Sequence, residues 1–389
     1  MLSDRTMIYA EQVTTALLGV DALYRRESGD EEGLVVLDMS AGRYIPEPFI
    51  SYSDALQRFN ELKMEVSSLP EADRRRYYDQ LCHSTLAFIR WREVDLSFPD
   101  QLSSFLHVPA EPASDSQLDD LRSQMQALLN ALGYTGDLSS QFAAWEARNR
   151  VPPDEVPGVI RELLDIAWDR TEERLHIPAD KSDGMQVIPV SGTAFNARCD
   201  YLERKIELNV DPVLTRQGLK HLVVHEAYPG HYVQFKLRET WHREGLAPSD
   251  GLLSVVNTAS SSTFEGIADN GMTLLDWIET EDDQLLALLN RYRAGIGTGA
   301  AWRLHALGWS AEKVAGWLRE NTLAGGEGWV AGRMRFITAP SRAVLIWSYW
   351  WGESAVTPIY QQVPVERRSE FLRYLYGRMH SNQTVAMFL

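Results

Sequence analysis

Hydrophobic residues recur every three or four positions over most of this chain, the spacing that places them on one face of an α-helix. The pattern predicts a helix from Asp4 to Arg26, further helices over residues 70–94 and 159–175, and mostly helices from Leu252 to the C-terminus. The alternation typical of a strand runs from Tyr201 to Val210, in a stretch rich in strand-forming residues. We therefore expect a mainly α protein with a small β-sheet.

A polar stretch, "VPAEPASDS" from Val108 to Ser116, interrupts the helical pattern and is the best linker candidate. Ser116 and Asp119 resemble a capping box that opens the next helix. We expect an N-terminal helical scaffold over residues 1–115 and a second region over residues 116–389, with one continuous domain as the alternative.

Composition limits the partners and the location of the protein. The 389 residues are 44% hydrophobic, which is enough for a large core, and the formal net charge of -16 repels nucleic acid and anionic membranes. The two cysteines, Cys82 and Cys199, lack CxxC spacing, which suits a reducing compartment and argues against a thiolate zinc site. The N-terminus lacks a basic signal region, and no apolar run reaches ~18 residues. We expect a cytoplasmic protein that binds neither nucleic acid nor membrane.

"HEAYPGH" opens like a zinc-peptidase helix, with His225 followed by Glu226, but its second histidine, His231, comes six residues after the first. Positions six apart on a straight helix are about 240° apart, so the rings would point to different sides. Pro229 and Gly230 predict a bulge or break that could restore a shared face. Two alternatives stay open: the helix simply ends here, or His221, four residues before His225, is its metal-binding partner.

A third ligand is offered by "STFEGIADNG", which places Glu265 and Asp269 four apart on one helix face. We expect Glu265 to bind the metal and Asp269 to orient a ligating histidine through its ring N–H. The alternative is an exposed acidic face. Small and apolar neighbours around Glu265 favour a buried carboxylate that needs a partner.

"HEAYPGHYVQ" followed by "FEGIAD" resembles the signature of a bacterial family known as domain of unknown function 885, a gluzincin-like group with a His-Glu-x-x-Pro-Gly-His helix. "LHALGWSAEKVAGWL" (residues 304–318) and "RFITAP" (residues 335–340) are similar to later segments of that family. The resemblance implies a helical zinc-peptidase-like fold, with a small β-sheet before the metal-binding helix. It implies His225, His231 and Glu265 as ligands and Glu226 as catalytic base.

The chain departs from the family where a tyrosine is usual, because Phe336 follows Arg335, and Ser341-Arg342 replaces a Gly-Gln pair. A tyrosine that could stabilise the transition state is thus missing from its usual place, and His305 or Tyr349 could serve instead; the alternative for each is a structural role. Arg335 and Arg342 are candidates for binding a substrate carboxylate, or each pairs with an acidic side chain.

These observations predict a zinc-dependent hydrolase of peptide bonds with one Zn²⁺ per chain and short peptides as substrates. Zinc would lower the pKa of a water and polarise the scissile carbonyl, and Glu226 would move the proton to the leaving amine. The strand ending in "IELNV" would align the substrate along its edge. The alternatives are a hydrolase of a small non-peptide amide and an inactive metal- or ligand-binding module, although Glu226 argues against lost activity. The oligomeric state is left open.

Overall fold

The computed structural model describes residues 2–30, 33–339 and 342–389. It is 66% helix and 6% strand, so the predicted mainly α class is confirmed. No helix in the described part of the chain is long and apolar enough to cross a membrane.

Seventeen α-helices lie within the described residues. In chain order they are α1 (Asp4–Ser28), α2 (Tyr52–Glu65), α3 (Ala72–Glu93), α4 (Phe98–Gln101), α5 (Asp115–Ala131), α6 (Leu138–Asn149), α7 (Val156–Leu175), α8 (Arg216–Glu226), α9 (His231–Arg243), α10 (Ser261–Asp269), α11 (Gly271–Leu274), α12 (Glu281–His305), α13 (Ala311–Asn321), α14 (Gly326–Thr338), α15 (Ile346–Gln362), α16 (Arg368–Tyr376) and α17 (Asn382–Ala386). Single turns of tighter or wider helix join several of them, at Val66–Ser68, Leu102–Leu106, Lys181–Asp183, Ser249–Leu252, Ala343–Leu345 and Val365–Arg367.

The contacts divide the chain into two compact units. The first comprises Met1–Ala110, Gln234–Gly266 and Trp351–Leu389, and the second comprises Glu111–Val233 and Ile267–Trp350. The boundary falls inside α9, α10 and α15, each of which continues from one unit into the other. The expected regions 1–115 and 116–389 stay a prediction.

The helix at the proposed linker begins earlier than the sequence suggested. The capping box belongs to Ser114 and Gln117, not to Ser116 and Asp119, because the chain is still extended at Ser114, whose side chain accepts from the Gln117 amide. Ser116 lies in the first turn of α5, where its backbone is already helical. Both serines fit a capping pattern in the sequence. The direction in which the chain enters α5 makes Ser114 the N-cap.

Two small sheets lie in the part of the chain that the structure describes. In the first unit β1 (Val35–Asp38) pairs antiparallel with β5 (Leu253–Val255). In the second unit the order is β2 (Gln186–Val190), β4 (Lys205–Asn209), β3 (Ala197–Asp200), with β2 parallel and β3 antiparallel to β4. The predicted strand from Tyr201 onwards was too long, because a turn joins β3 to β4 and ends at Arg204, whose φ is 51°.

The position of β4 corrects the expected substrate edge. Its residues, which include "IELN", pair with β2 on one side and β3 on the other, so its backbone groups are already used. A single alternating segment predicts a strand but not its neighbours, because the pairing depends on segments distant in sequence. The edges of this sheet are β2 and β3.

Helix α8 is held in the second unit by α7 and α12. Its Lys220 forms a buried ion pair with Asp283 at the start of α12, with Nζ and Oδ2 2.9 Å apart. The same ammonium lies 4.5 Å from the centre of the Trp277 ring. An ion pair with an additional cation–π contact fixes the rotation of α8 and therefore the direction of its last two side chains.

Candidate metal site

Helix α8 stops at the end of the His-Glu pair, as predicted. Beyond it, the amides of Ala227 and Tyr228 both donate to the carbonyl of Val223, at 2.9 and 3.2 Å, and Gly230 donates to Val224 at 2.9 Å. The Tyr228–Pro229 peptide bond is cis. The three hydrogen bonds close the last turn of α8, and the chain then enters α9 at His231.

Only glycine fits at position 230 of this turn. A Cβ atom there would lie 1.7 Å from the carbonyl oxygen of His225 and 2.4 Å from that of Val224. The backbone of the turn thus folds directly onto the end of α8. Because the helix stops and restarts, the angular spacing of a straight helix no longer applies to the two histidines.

The rings of His225 and His231 converge. Their centroids are 4.7 Å apart and their planes are inclined by 84°. Both side chains are buried. The predicted break with converging rings is confirmed.

Asp269 fixes the orientation of the first histidine. Its Oδ1 lies 2.9 Å from Nδ1 of His225, which leaves Nε2 on the other side of the ring. A ligating histidine usually holds its second nitrogen against a carboxylate in this way. Glu265 lies one helical turn before Asp269 on α10, as the four-residue spacing predicted.

A second glycine, Gly271, brings the end of α10, which carries Asp269, close to α8. A Cβ on Gly271 would lie 2.3 Å from Cγ1 of Val224 and 3.1 Å from Cδ of Pro229. The missing side chain lets the corner that follows α10 rest on the end of α8 and on its closing turn. A glycine just after a helix end was a readable signal for a close approach, and the sequence analysis did not use it.

Two groups of side chains in the described chain could hold a metal ion. The ligand atoms of His225, His231 and Glu265 lie within 4.8 Å of one another, and so do those of His221, His225 and Asp269. Burial above all lowers the pKa of His221 to about 4, so its ring is neutral at pH 7. In the first group Asp269 keeps its hydrogen bond to His225, whereas in the second it would become a ligand.

Glu226 lies on the Nε2 side of the His225 ring. Its Oε1 is 3.9 Å from Nε2 of His225, opposite the nitrogen that Asp269 contacts, and its side chain is buried. The carboxylate is therefore beside the place where a metal ion held by Nε2 would sit, which is the position that a general base requires.

The edge strand β3 lies beside this carboxylate. Burial, followed by the charges of Glu226 and Asp200, raises the pKa of Cys199 on β3 well above its usual range. Cys199 is therefore a neutral thiol in the folded protein. Within the described residues no strand covers the far edge of β3, so β3 replaces β4 as the strand that could align a substrate.

The other predicted residues lie on α12, α14 and α15. His305 is exposed at the end of α12, with Nε2 2.7 Å from the carbonyl oxygen of Ile337. The ring of Tyr349 is 6.4 Å from that of Phe336, the residue at the family's tyrosine position. A tyrosine side chain is therefore present next to the position where the resemblance lacks one. Its catalytic role, like that of His305, stays a prediction.

The two predicted carboxylate-binding arginines have different surroundings. Arg335 is exposed and donates to the carbonyl of Thr193, in the loop between β2 and β3. Arg342 is half-buried and precedes the short helix Ala343–Leu345. The neighbouring Pro340 and Ser341 lie outside the described residues. Two half-buried arginines that the sequence did not single out, Arg293 and Arg333, lie around the ring of Trp329.

Comparison with known proteins gives a fold. No family model matches the chain, and no curated protein matches its sequence. A crystal structure described as that of "the putative lipoprotein from Colwellia psychrerythraea" matches with a TM-score of 0.55 and 14% identity, over 90% of this chain and 70% of that one. A "putative lipoprotein of unknown function from Shewanella oneidensis" matches with a TM-score of 0.52 and 14% identity, over 87% and 71%. At this identity the likeness concerns the fold alone.

Proposed function

We propose that the chain is a zinc-dependent hydrolase of peptide bonds, with the zinc-peptidase-like fold implied by its resemblance to the domain of unknown function 885 family. One observation carries the proposal: His225 holds Asp269 at Nδ1 and has Glu226 beside Nε2, and its ligand atom lies within 4.8 Å of those of His231 and Glu265. Two imidazoles and a carboxylate within reach of one point supply three ligand atoms for one cation, which is the arrangement of a metal site.

The side chains fit zinc by their chemistry. Two imidazole nitrogens and one carboxylate oxygen form a donor set that catalytic zinc sites use, and such sites leave a coordination position open. His225, His231 and Glu265 would hold the ion, and Asp269 would keep His225 in the tautomer that offers Nε2. Zinc bound there would supply Lewis acidity, which polarises a carbonyl and makes a water more acidic.

The protein's own groups would then move the proton. Glu226 would accept a proton from the attacking water and deliver it to the departing nitrogen, because its buried carboxylate is next to the ligands without being one of them. An extended peptide could pair with the backbone of β3 and so pass Glu226. Short peptides and small amides are the proposed substrates.

The location of the protein stays a prediction. The sequence predicts a cytoplasmic protein without nucleic-acid or membrane partners. The word lipoprotein in the descriptions of the two structural neighbours does not transfer at 14% identity.

Exchange of Glu226 for Gln tests the function. Gln keeps the size of the side chain but cannot accept a proton, so hydrolysis of short peptides should fall by about 10²–10⁴-fold, or about 3–5 kcal/mol in barrier. Zinc content and melting temperature should stay unchanged. Glu162→Gln, which removes an exposed carboxylate paired with Arg216, is the matched control and should keep full activity.

The outcomes separate this proposal from its alternatives. Hydrolysis at the wild-type rate in Glu226→Gln would remove this residue from the mechanism. Hydrolysis of acyl-amides but of no peptide would support a hydrolase of small non-peptide amides. Zinc binding without hydrolysis in either protein, across a broad panel, would support the binding module.

A further inference from the structure

Two guanidinium groups in the second unit share one aromatic ring. Cζ of Arg293 on α12 lies 5.7 Å from the ring centre of Trp329 on α14, and Cζ of Arg333 on α14 lies 5.2 Å from the same centre. Like charges are normally kept apart, because their repulsion adds to the desolvation of each group. Two half-buried cations around one ring therefore require an explanation.

Neither guanidinium forms an ion pair within the described residues. Arg293 donates from Nη2 to the carbonyl of Ala324 at 2.8 Å, and its Nε is buried without a hydrogen-bond partner. The guanidinium of Arg333 contacts the Trp329 ring, and Nε of Arg333 is likewise buried without a hydrogen-bond partner. Other arginines of the chain, such as Arg92 and Arg238, also bury an Nε without a partner, so the distinctive feature here is that two guanidinium groups share one ring.

Burial is the main influence on the pKa of both arginines. Burial lowers the pKa of Arg293 to about 10, with a further decrease from Arg333, and burial also lowers the pKa of Arg333. The nearby carboxylate of Glu146 acts on Arg293, but its Oε1 accepts from the Gly325 amide at 2.9 Å. Both arginines remain protonated at pH 7 and retain unused N–H donors.

Glycine makes room for this arrangement on α12. Gly297 lies one turn after Arg293, and a Cβ there would be 3.7 Å from Cζ of Arg333 and 3.0 Å from a side-chain carbon of Ile346. The guanidinium of Arg333 thus lies against bare helix backbone. A guanidinium group presents its N–H donors in one plane, the geometry that matches a planar anion such as a carboxylate.

This pair of cations lies in the same compact unit as His225 and His231. Helix α12, which carries Arg293, packs against α8, which carries His225. Tyr349, the candidate for transition-state stabilisation, lies near Arg333. These groups belong to the same unit.

We propose that Arg293 and Arg333 bind a carboxylate of the substrate and so select short peptides with a free C-terminus. The inference rests on the proposed hydrolase function for the identity of the substrate. It moves the carboxylate-binding role from Arg335 and Arg342 to this pair. An acidic side chain of the peptide is the other possible source of the same group.

The first experiment measures binding without turnover. The protein as purified is heated with N-acetylglycine or with N-acetylglycinamide at equal ionic strength, and the melting temperature is compared. The carboxylate should raise it and the amide should not, since ligand that binds the folded state stabilises it. Arg333→Gln and Arg293→Gln should abolish the rise.

Arg303→Gln is the matched control. Arg303 is also a half-buried arginine of α12 that stacks on tryptophan, with Cζ 4.0 Å from the Trp317 ring, but no second guanidinium shares that ring in the described chain. This variant should keep the rise. If Arg333→Gln does not fold, Arg333→Lys tests the same point, because it keeps the charge and loses the planar fork. An equal rise with the amide or with potassium chloride would overturn the proposal.

The second experiment uses peptide pairs that differ in a free or an amidated C-terminus. Arg333→Gln should raise KM by about 10- to 100-fold for the free peptide and leave the amidated one unchanged, since a charge-assisted hydrogen bond is lost only in the first. Amidated peptides with a Glu side chain show whether an acidic side chain can replace the terminus. Equal hydrolysis of both forms by wild type and variant would overturn the proposal and leave the hydrolase function standing. Carboxylate binding that depends on Arg333, in a protein that hydrolyses no peptide, would support the binding pair and contradict the hydrolase function.

Discussion

A buried polar cluster of the first unit and the side chains around His225 and Arg293 in the second unit differ in the kinds of group that they bring together. In the first, the hydroxyl of Tyr78 donates to Asp250 at 2.8 Å, and His380 uses both ring nitrogens, on Thr384 at 3.1 Å and on the Tyr374 carbonyl at 2.8 Å. Arg74 reaches the carbonyl of Met379 at 2.9 Å. Donors meet acceptors in this cluster, as is usual for buried polar groups, although Nη2 of Arg74 and Oδ2 of Asp250 are buried without a hydrogen-bond partner.

In the second unit similar groups converge. His225 and His231 turn their rings together beside carboxylates, one of which, Asp269, is hydrogen-bonded to His225. Arg293 and Arg333 meet at one tryptophan, and neither forms an ion pair within the described residues. Convergence of similar groups in a buried place indicates a ligand, because an ion or molecule of complementary charge would add to the interactions that these groups already have.

The largest effect that would break this comparison concerns zinc. Exchange of His231 or Glu265 for Ala should remove stoichiometric zinc, because each takes away one of three proposed ligands. Elemental analysis after dialysis measures the metal per chain, with one zinc expected in the wild type. His221→Ala is the control and should keep it. Zinc lost in His221→Ala but kept in His231→Ala would transfer the site to His221, His225 and Asp269.

The next effect concerns the turn that brings the rings together. Gly230→Ala places a methyl group 1.7 Å from the His225 carbonyl oxygen, so the turn must open. We expect a loss of more than about 4 kcal/mol in the free energy of unfolding, or a folded protein without zinc. Denaturant titration and metal analysis distinguish the two. Gly158→Ala on α7, where nothing lies within 4 Å of the new atom, should be neutral or slightly stabilising. A Gly230→Ala protein of normal stability and zinc content would contradict the argument.

A smaller effect is expected at the carboxylate that orients His225. Asp269→Asn keeps the shape but weakens the acceptor for the ring N–H, and such changes reduce metal affinity by about 10–100-fold. Competition with a zinc chelator measures the affinity. Asp276→Asn, at an exposed carboxylate paired with Arg174, should leave it unchanged. Equal affinity in wild type and Asp269→Asn would mean that the 2.9 Å contact is only structural.

The smallest expected effect concerns His380, a member of the polar cluster in the first unit. Burial, reinforced by Arg74, lowers the pKa of His380 well below its usual value. The unfolded chain therefore binds the proton first as the pH falls, so the stability contributed by neutral His380 is complete above pH ~6.5 and is lost below it. Wild type should lose up to about 1.4 kcal/mol per pH unit more than His380→Gln. Denaturant titrations at pH 7.5 and 5.5 measure the difference, and parallel pH dependence would show that His380 does not contribute.

Sequence by itself determined the features that depend on neighbours along the chain. Helical spacing predicted the mainly α fold, Pro229 and Gly230 predicted the break before His231, and the four-residue spacing placed Glu265 and Asp269 on one face of α10. Each of these follows from the geometry of one or two turns of backbone.

Tertiary structure decided what depends on segments far apart. It selected Ser114 over Ser116 as the cap of α5, placed β4 in the centre of its sheet and left β3 at the edge, and set Arg293 and Arg333 against the same ring. A residue's spacing fixes the direction of its side chain relative to its own helix. The partner that the side chain meets is fixed only when another part of the chain packs there, because burial and pairing are properties of the assembled core.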